Sequence, residues 1–147
     1  MTKDEGPKTK DPPIAPRYPL MERAAGEVRA ASGRLADEVT LERLAAGELA
    51  DDDLRITPEA LRAQAEIAQG AGFPQLAANL RRAAELTAVP NTELLRMYET
   101  LRPGRATYAQ MVALAARLDE TYHASGTAAF VREAAAVYRT RGLVKQE

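Results

Sequence analysis

"TPEALRAQAEIAQGAGFP", residues 57–74, is the stretch that decides the fold, because it marks both ends of one helix and the start of the next. Thr57 is a helix-capping residue type, and Pro58 suits the first helical position. The apolar residues that follow recur at the spacing of one helix face: Leu61, Ala65 and Ala68. Two glycines separated by one alanine then end the helix, and Pro74 begins another.

The same alternation of helix breakers and apolar stripes continues to the C-terminus. The predicted breaks and caps are Pro90, a capping Asn91, the pair Pro103 and Gly104, a capping box of Thr107 with Gln110, the loop of residues 123–126, and Gly142. The inward-facing positions predicted for the second to fifth helices are Leu76, Leu80, Ala83 and Ala84; Leu94, Tyr98 and Leu101; Met111, Leu114, Ala115, Leu118 and Tyr122; and Phe130, Ala134, Val137 and Tyr138. Roughly five helices of about 10–15 residues predict an all-α fold, a small helical bundle.

The N-terminal third has a different pattern. Prolines among lysines and aspartates predict an extended or disordered arm over residues 1–17. Thr40 is predicted to cap a short helix that Gly47 ends, and the acidic run 51–53 is interpreted as a solvated charge run at a turn or helix start. The predicted organisation is an arm, 1–17; an extended segment with short helices, 18–56; a helical domain, 57–142; and a C-terminal tail, 143–147.

Charge and cysteine content narrow the function classes. The chain has 20 basic and 21 acidic residues, so it has no general attraction to nucleic acid or to an anionic membrane. It has no cysteine, which excludes disulfides and thiolate chemistry. There is no signal-peptide core and no apolar run of membrane-spanning length. These features predict a soluble cytoplasmic protein.

The apolar content predicts a thin core. Alanine accounts for 30 of the 147 residues, whereas leucine, isoleucine, valine and phenylalanine together account for 28. Alanine favours helix but buries little area, while a large apolar side chain contributes roughly 1.5–3 kcal/mol when buried. We therefore expect a helical protein that depends on a partner for part of its stability.

No catalytic, cofactor-binding or metal-binding residue is predicted on this chain. His123 is the single histidine and is expected to be solvated or structurally bonded, and without cysteine a zinc site lacks ligands. The acidic run lacks the spaced oxygen ligands of a calcium loop. Arginines interleaved with glutamates are typical of helix-face ion pairs and partner contacts. Two classes remain open on these grounds: a helical protein–protein adaptor and a helix-turn-helix nucleic-acid binder.

Residues 81–105, "RRAAELTAVPNTELLRMYETLRPGR", closely resemble the small subunit of adenosylcobalamin-dependent diol and glycerol dehydratases. The similarity continues upstream in "DLRITPEALRAQAEIAQGAG", residues 53–72, and downstream in "AAFVREAAAVYRTRGLVK", residues 128–145. It covers about residues 18–145. Residues 21–36 match loosely, and Thr127 stands where relatives often have cysteine.

The resemblance implies a role in a larger enzyme. Such dehydratases contain large, medium and small subunits, typically as a dimer of heterotrimers, and convert propane-1,2-diol or glycerol to aldehydes by radical dehydration. The large subunit holds the substrate and the catalytic residues, and adenosylcobalamin lies between the large and medium subunits. The small subunit is helical, packs on the large one and supplies no catalytic group. Its expected location is the cytoplasm, with a bacterial microcompartment as an alternative.

A small subunit needs an interface, and aromatic residues and arginine are enriched at the centres of interfaces. The predicted interface residues are Arg55, Ile56, Tyr98, Arg102, Arg105, Phe130, Arg132 and Tyr138. The three aromatic residues also fit an internal core, and the arginines also fit structural ion pairs. The preference between propane-1,2-diol and glycerol stays open, because substrate contacts would lie on another chain.

Overall fold

The computed structural model describes residues 18–146, and the predicted arm, residues 1–17, lies outside this range. The α-helices of the described part are α1 Leu20–Arg23, α2 Leu41–Ala45, α3 Pro58–Gly70, α4 Pro74–Leu86, α5 Asn91–Thr100, α6 Tyr108–Tyr122 and α7 Ser125–Thr140. Short 3-10 helices cover Ala36–Glu38 and Asp51–Asp53. Within residues 18–146 the only strand-like pairing is an isolated bridge between Arg29 and Leu35. The predicted all-α fold is confirmed, and α3 to α7 are its five longer helices.

Three predicted N-caps are confirmed by hydrogen bonds. The Thr57 hydroxyl accepts from the Ala60 amide at 3.2 Å at the start of α3. Thr107 and Gln110 form a reciprocal capping box on α6, with distances of 3.2 and 2.9 Å. Thr40 caps α2 in the same way. These side chains satisfy amides that the first helical turn leaves without partners, so the helix starts are encoded locally.

The predicted cap at Asn91 is wrong. Asn91 is already the first helical residue of α5, and the capping position falls on Pro90, which has no side-chain acceptor. The chain turns at the proline itself, whose backbone is extended. The predicted helix end at Gly47 is confirmed, because this glycine has a φ of 70°, a left-handed conformation that favours glycine.

Two helix pairs form the body of the fold. α3 packs against α4, α6 packs against α7, and α4 meets α7. The buried cluster between α3 and α4 consists of three alanines, Ala65, Ala68 and Ala77, with Leu80 partly buried beside them. The largest core cluster gathers residues from α5, α6 and α7 and from the loops beside them: Val89, Met97, Ala115, Leu118, Ala124, Ala128 and Val131.

The predicted inward faces are confirmed for α3 and α6 and only in part for α5 and α7, where Leu94, Leu101, Ala134 and Tyr138 do pack against core clusters. Tyr98 on α5 is 64% exposed, and the neighbouring Met97 is buried in its place. On α7, Phe130 and Val137 are exposed. The buried α7 residues are Thr127, Ala128, Val131 and Ala135. On α4, Leu76 is also half exposed. In these three helices a small or flexible residue is buried while a larger apolar neighbour points outward.

The acidic run of residues 51–53 is not uniformly solvated. Asp53 is buried, and its carboxylate accepts hydrogen bonds from the Ser32 hydroxyl at 2.5 Å, the Ala50 amide at 2.8 Å and the Arg34 guanidinium at 3.0 Å. The Ser32 hydroxyl is the main cause that lowers the pKa of Asp53 to about 2, followed by the Ala50 amide and Arg34. This carboxylate joins the loop before α2 to the loop after it.

The last described residues run back along the loop between α5 and α6. The Gly104 amide donates to the Leu143 carbonyl at 2.7 Å, and the Lys145 amide donates to the Ala106 carbonyl at 2.8 Å. Val144 packs against the cluster of Ala106, Met111 and Ala135. Residues 143–145 therefore hold the loop between α5 and α6 in place.

Candidate subunit interface

The described residues expose more large apolar side chains than they bury. Six such side chains are buried: Leu61, Val89, Met97, Met111, Leu118 and Val131. Fourteen are exposed: Tyr18, Met21, Leu41, Leu44, Leu54, Ile56, Phe73, Leu76, Leu95, Tyr98, Val112, Phe130, Val137 and Leu143. Scattered apolar side chains are normal on a protein surface, but grouped ones mark interaction sites.

One group lines a groove between α1, α3 and α4. This α1–α4 groove has a volume of about 560 Å³ and is lined mostly by apolar side chains. Tyr18, Met21, Phe73 and Leu76 belong to it, and each of these is at least half exposed. The groove follows from the alanine core of the α3–α4 pair, because the larger residues of both helices lie outside that core.

A second group lies along the outer face of α5. Leu95, Tyr98 and Arg102 are spaced three and four residues apart, so they share one side of the helix and its C-terminal end. Leu95 is 69% exposed and Tyr98 is 64% exposed. Aromatic residues and arginine are the types that interface centres favour, and the aliphatic Leu95 adds apolar area beside them.

Three of the predicted interface residues meet at the C-terminal end of α5. Arg102 and Arg105 both bind the carboxylate of Glu99, at 3.0 and 3.4 Å, and Tyr98 precedes this glutamate in the helix. All of these side chains are more than half exposed. Exposed ion pairs contribute little to stability, so both guanidiniums can still contact a partner.

Tyr138 on α7 is half buried and contacts the residue that follows α5. Its hydroxyl donates to the Leu101 carbonyl at 3.0 Å, and its ring packs against the cluster of Ala106, Met111 and Ala135. The ring therefore belongs to an internal cluster, which agrees with the alternative that the aromatic residues fit an internal core.

The other predicted interface residues lie apart from α5. Phe130 is 52% exposed, and the Arg82 guanidinium stacks 4.3 Å from its ring centroid. Arg132 binds Asp119 at 3.1 Å, and the Ser125 hydroxyl donates to the same carboxylate at 2.8 Å. The Ser125 hydroxyl, and then Arg132, lower the pKa of Asp119.

Arg55 and Ile56 lie on the segment that precedes α3. Arg55 pairs with Asp52 at 3.2 Å, and Ile56 is 50% exposed. The structure thus brings Tyr98, Arg102 and Arg105 together but does not join them to Arg55 and Ile56 through any described contact.

A carboxylate clamp between α4 and α7 could not be predicted from the sequence. The Glu85 carboxylate accepts from the Gly126 amide at 2.9 Å, the Thr127 amide at 2.7 Å and the Thr127 hydroxyl at 2.6 Å. A negative charge at a helix N-terminus is favourable, since the amides there have no helical partners. The Thr127 side chain therefore adds a hydrogen bond to the clamp.

A groove between α5 and α6 is the other feature that sequence reasoning missed. This α5–α6 groove has a volume of about 470 Å³. At its floor the Glu93 side chain is only 11% exposed and binds Arg117 at 3.0 Å and Arg96 at 3.9 Å. The Glu93–Arg96 spacing on one helix was visible in the sequence, but the partner on α6 depends on how the helices pack.

The described part of the chain offers little chemistry of its own. Over residues 18–146 no group of three or more histidine, cysteine, aspartate or glutamate side chains could hold a metal ion. His123 is exposed and ends α6 in a left-handed conformation, beside Arg62, Glu66, Arg81 and Glu85. Among the same residues no helix could span a membrane.

The amino-acid sequence of this chain is similar to those of known proteins. Residues 14–145 match the family model described as dehydratase small subunit. The chain belongs to the dehydratase small-subunit family. It is 47% identical over 128 residues to the propanediol dehydratase small subunit of Citrobacter freundii, a match that covers 87% of this chain and 74% of the relative. It is 45% identical over the same coverage to the propanediol dehydratase small subunit of Salmonella typhimurium. The resemblance drawn from the sequence is confirmed, and the chain is a subunit of a multi-subunit dehydratase, a hydro-lyase.

Proposed function

We propose that this chain is the non-catalytic small subunit of a propanediol or glycerol dehydratase and that it assembles on, and stabilises, the large subunit. The observation that carries the proposal is the excess of exposed over buried large apolar side chains. Each such side chain contributes roughly 1.5–3 kcal/mol when it leaves water. A partner that covers several of them supplies the stabilisation that the alanine-rich core lacks.

The contact with the large subunit centres on the outer face of α5. Leu95 and Tyr98 supply apolar area there, and Arg102 supplies hydrogen-bond donors. The proposed interface also includes the other predicted residues: Arg55, Ile56, Arg105, Phe130, Arg132 and Tyr138. Tyr138 and Arg132 act partly through the residues they hold, Leu101 and Asp119.

Adenosylcobalamin is proposed to be held by the large and medium subunits, in a dimer of heterotrimers. In support of this placement, His123 lies on an exposed surface of arginines and glutamates and not in an apolar cradle, so this part of the described chain does not fit the cofactor. When bound, the cofactor supplies the radical that starts dehydration of the diol. The proposed location is the cytoplasm or a bacterial microcompartment.

Co-purification tests this function. The tagged chain is expressed with its large and medium subunits and captured, and the complex is assayed for adenosylcobalamin-dependent aldehyde formation from propane-1,2-diol and from glycerol. We expect both larger subunits to co-purify with activity, and the ratio of the two rates to give the substrate preference. Recovery of the chain alone, with undiminished activity in the large and medium subunits, would refute the proposal.

A further inference from the structure

The α5–α6 groove combines concave shape with a local excess of positive charge. Its charged lining residues are three arginines and one glutamate: Arg96, Arg105, Arg117 and Glu93. The whole chain has a formal charge of −1, so this excess is a local feature. Apolar atoms of Met97, Ala106 and Leu114 complete the lining.

The guanidiniums of the groove retain capacity to bind an anion. Their side chains are 79%, 61% and 53% exposed at Arg96, Arg105 and Arg117. Arg96 reaches Glu93 at only 3.9 Å, and Arg105 reaches Glu99 at 3.4 Å. Each guanidinium has five N–H donors, so one carboxylate contact uses only part of its capacity. Arg117, which binds Glu93 at 3.0 Å, has the tightest pair in the groove.

The charge pattern favours a protein carboxylate over a nucleic acid. Arginine binds a carboxylate through two parallel hydrogen bonds, a geometry that suits one or two acidic side chains. A phosphate backbone needs a longer run of positive charge. The groove also shares α5 with the Leu95 and Tyr98 face, so one partner surface can reach both.

We propose that the α5–α6 groove receives an acidic segment of the large subunit, with Arg96 and Arg105 as the guanidiniums that bind its carboxylates. This inference rests on the proposed function, because it requires the chain to assemble on a large subunit. Arg117 acts as a positioning residue that holds the buried Glu93 carboxylate at the floor of the groove.

The test removes charge from the groove in the assembled complex. The chain carrying both Arg96→Gln and Arg105→Gln is co-expressed with the large and medium subunits, which are captured through a tag on the large subunit. The molar ratio of small to large subunit is measured while the salt concentration is raised. We expect retention of the small subunit to weaken roughly tenfold or more, because a close charge pair across an interface has at least that effect. Variants with lysine at both positions keep the charge but lose the paired hydrogen bonds, so they should bind more tightly than the glutamine variant and more weakly than the unmodified chain.

The matched control removes two exposed arginines elsewhere, through Arg62→Gln and Arg81→Gln on α3 and α4. This control should behave as the unmodified chain does. Equal retention of the groove variant and the control overturns the inference, and so does loss of retention on nuclease treatment, which would make the occupant a nucleic acid. Failure of the unmodified chain to co-purify overturns the proposed function as well, so the two failures are distinguishable.

Discussion

Removing the Glu85 carboxylate is the sharpest test of how the helices are held together. Glu85→Ala deprives the Gly126 amide, the Thr127 amide and the Thr127 hydroxyl of their acceptor. Thr127 is buried, so its two donors lose their partner where water reaches them poorly. An unsatisfied buried donor costs roughly 1–3 kcal/mol. Loss of a negative charge at a helix N-terminus costs a further 0.3–1 kcal/mol or so.

The expected loss in the free energy of unfolding is therefore about 3 kcal/mol, allowing for partial rehydration of the Gly126 amide. Glu85→Gln keeps one acceptor oxygen and should lose about half as much. The matched control is Glu133→Ala, an exposed acid on α7, which should change stability by no more than about 0.5 kcal/mol. Urea unfolding followed by circular dichroism gives the free energies.

Hydrogen exchange locates the effect. The amides of Gly126 and Thr127 should exchange much faster in Glu85→Ala, while amides in the middle of α3 should change only as far as global stability does. A double-mutant cycle of Glu85→Ala with Thr127→Val should show a coupling of about 1 kcal/mol or more. A cost for Glu85→Ala no larger than that for Glu133→Ala would refute the clamp.

Three further perturbations test other parts of the structure. Gly126→Ala places a Cβ 2.8 Å from a Glu85 carboxylate oxygen, so it should lower the free energy of unfolding of the native chain. In a chain that also carries Glu85→Ala the clash is gone, so the same substitution should be neutral or stabilising by up to about 1 kcal/mol. Urea unfolding of the unmodified chain, the two single variants and the double variant measures both effects. Because the pKa of Asp53 is lowered to about 2 from 3.8, its contribution to stability is present above pH 3.8 and is lost as the pH falls toward 2. Proteolysis of the segment before α3 should therefore become faster over that pH range. Asp53→Asn should remove this dependence of the proteolysis rate on pH. Met97→Ala should lower the free energy of unfolding by about 2–5 kcal/mol, because Met97 is buried. Tyr98→Ala should leave the free energy of unfolding nearly unchanged but weaken capture by the large subunit. The opposite result would reverse the assignment of core and interface on α5.

Local sequence signals predicted the helices but not the contacts between them. Thr57, Thr107 with Gln110, and Gly47 determine helix ends through bonds or backbone conformations within a few residues, so a single chain segment carries the information. The clamp of Glu85 on α7 joins residues about 40 positions apart. A carboxylate on a predicted helix surface looks like any solvated acid until the packing of α4 on α7 is known.

The errors in the predicted core have one physical source. Periodicity assigns the largest apolar residues to the inward face, a rule that assumes all apolar burial occurs within the chain. On α5 the adjacent Met97 and Tyr98 compete for that face, and the flexible methionine fills the space between the helices. On α7 small residues such as Ala128 and Ala135 face inward, and Phe130 faces outward.

Burial of small residues and exposure of large apolar ones is the pattern expected of a chain that packs against another subunit. A helix that is apolar over a wide arc can bury one side in its own chain and offer the other to a partner, and its pattern then contains two overlapping stripes. In α5 the inner stripe is Leu94, Met97 and Leu101, and the outer one begins with Leu95 and Tyr98. Because the inner stripes use alanine and methionine, the helices pack closely and leave the large side chains outside. The thin core predicted from composition and the exposed apolar surface therefore have the same cause: much of this chain's apolar area is placed for burial against the dehydratase subunits on which we propose that it assembles.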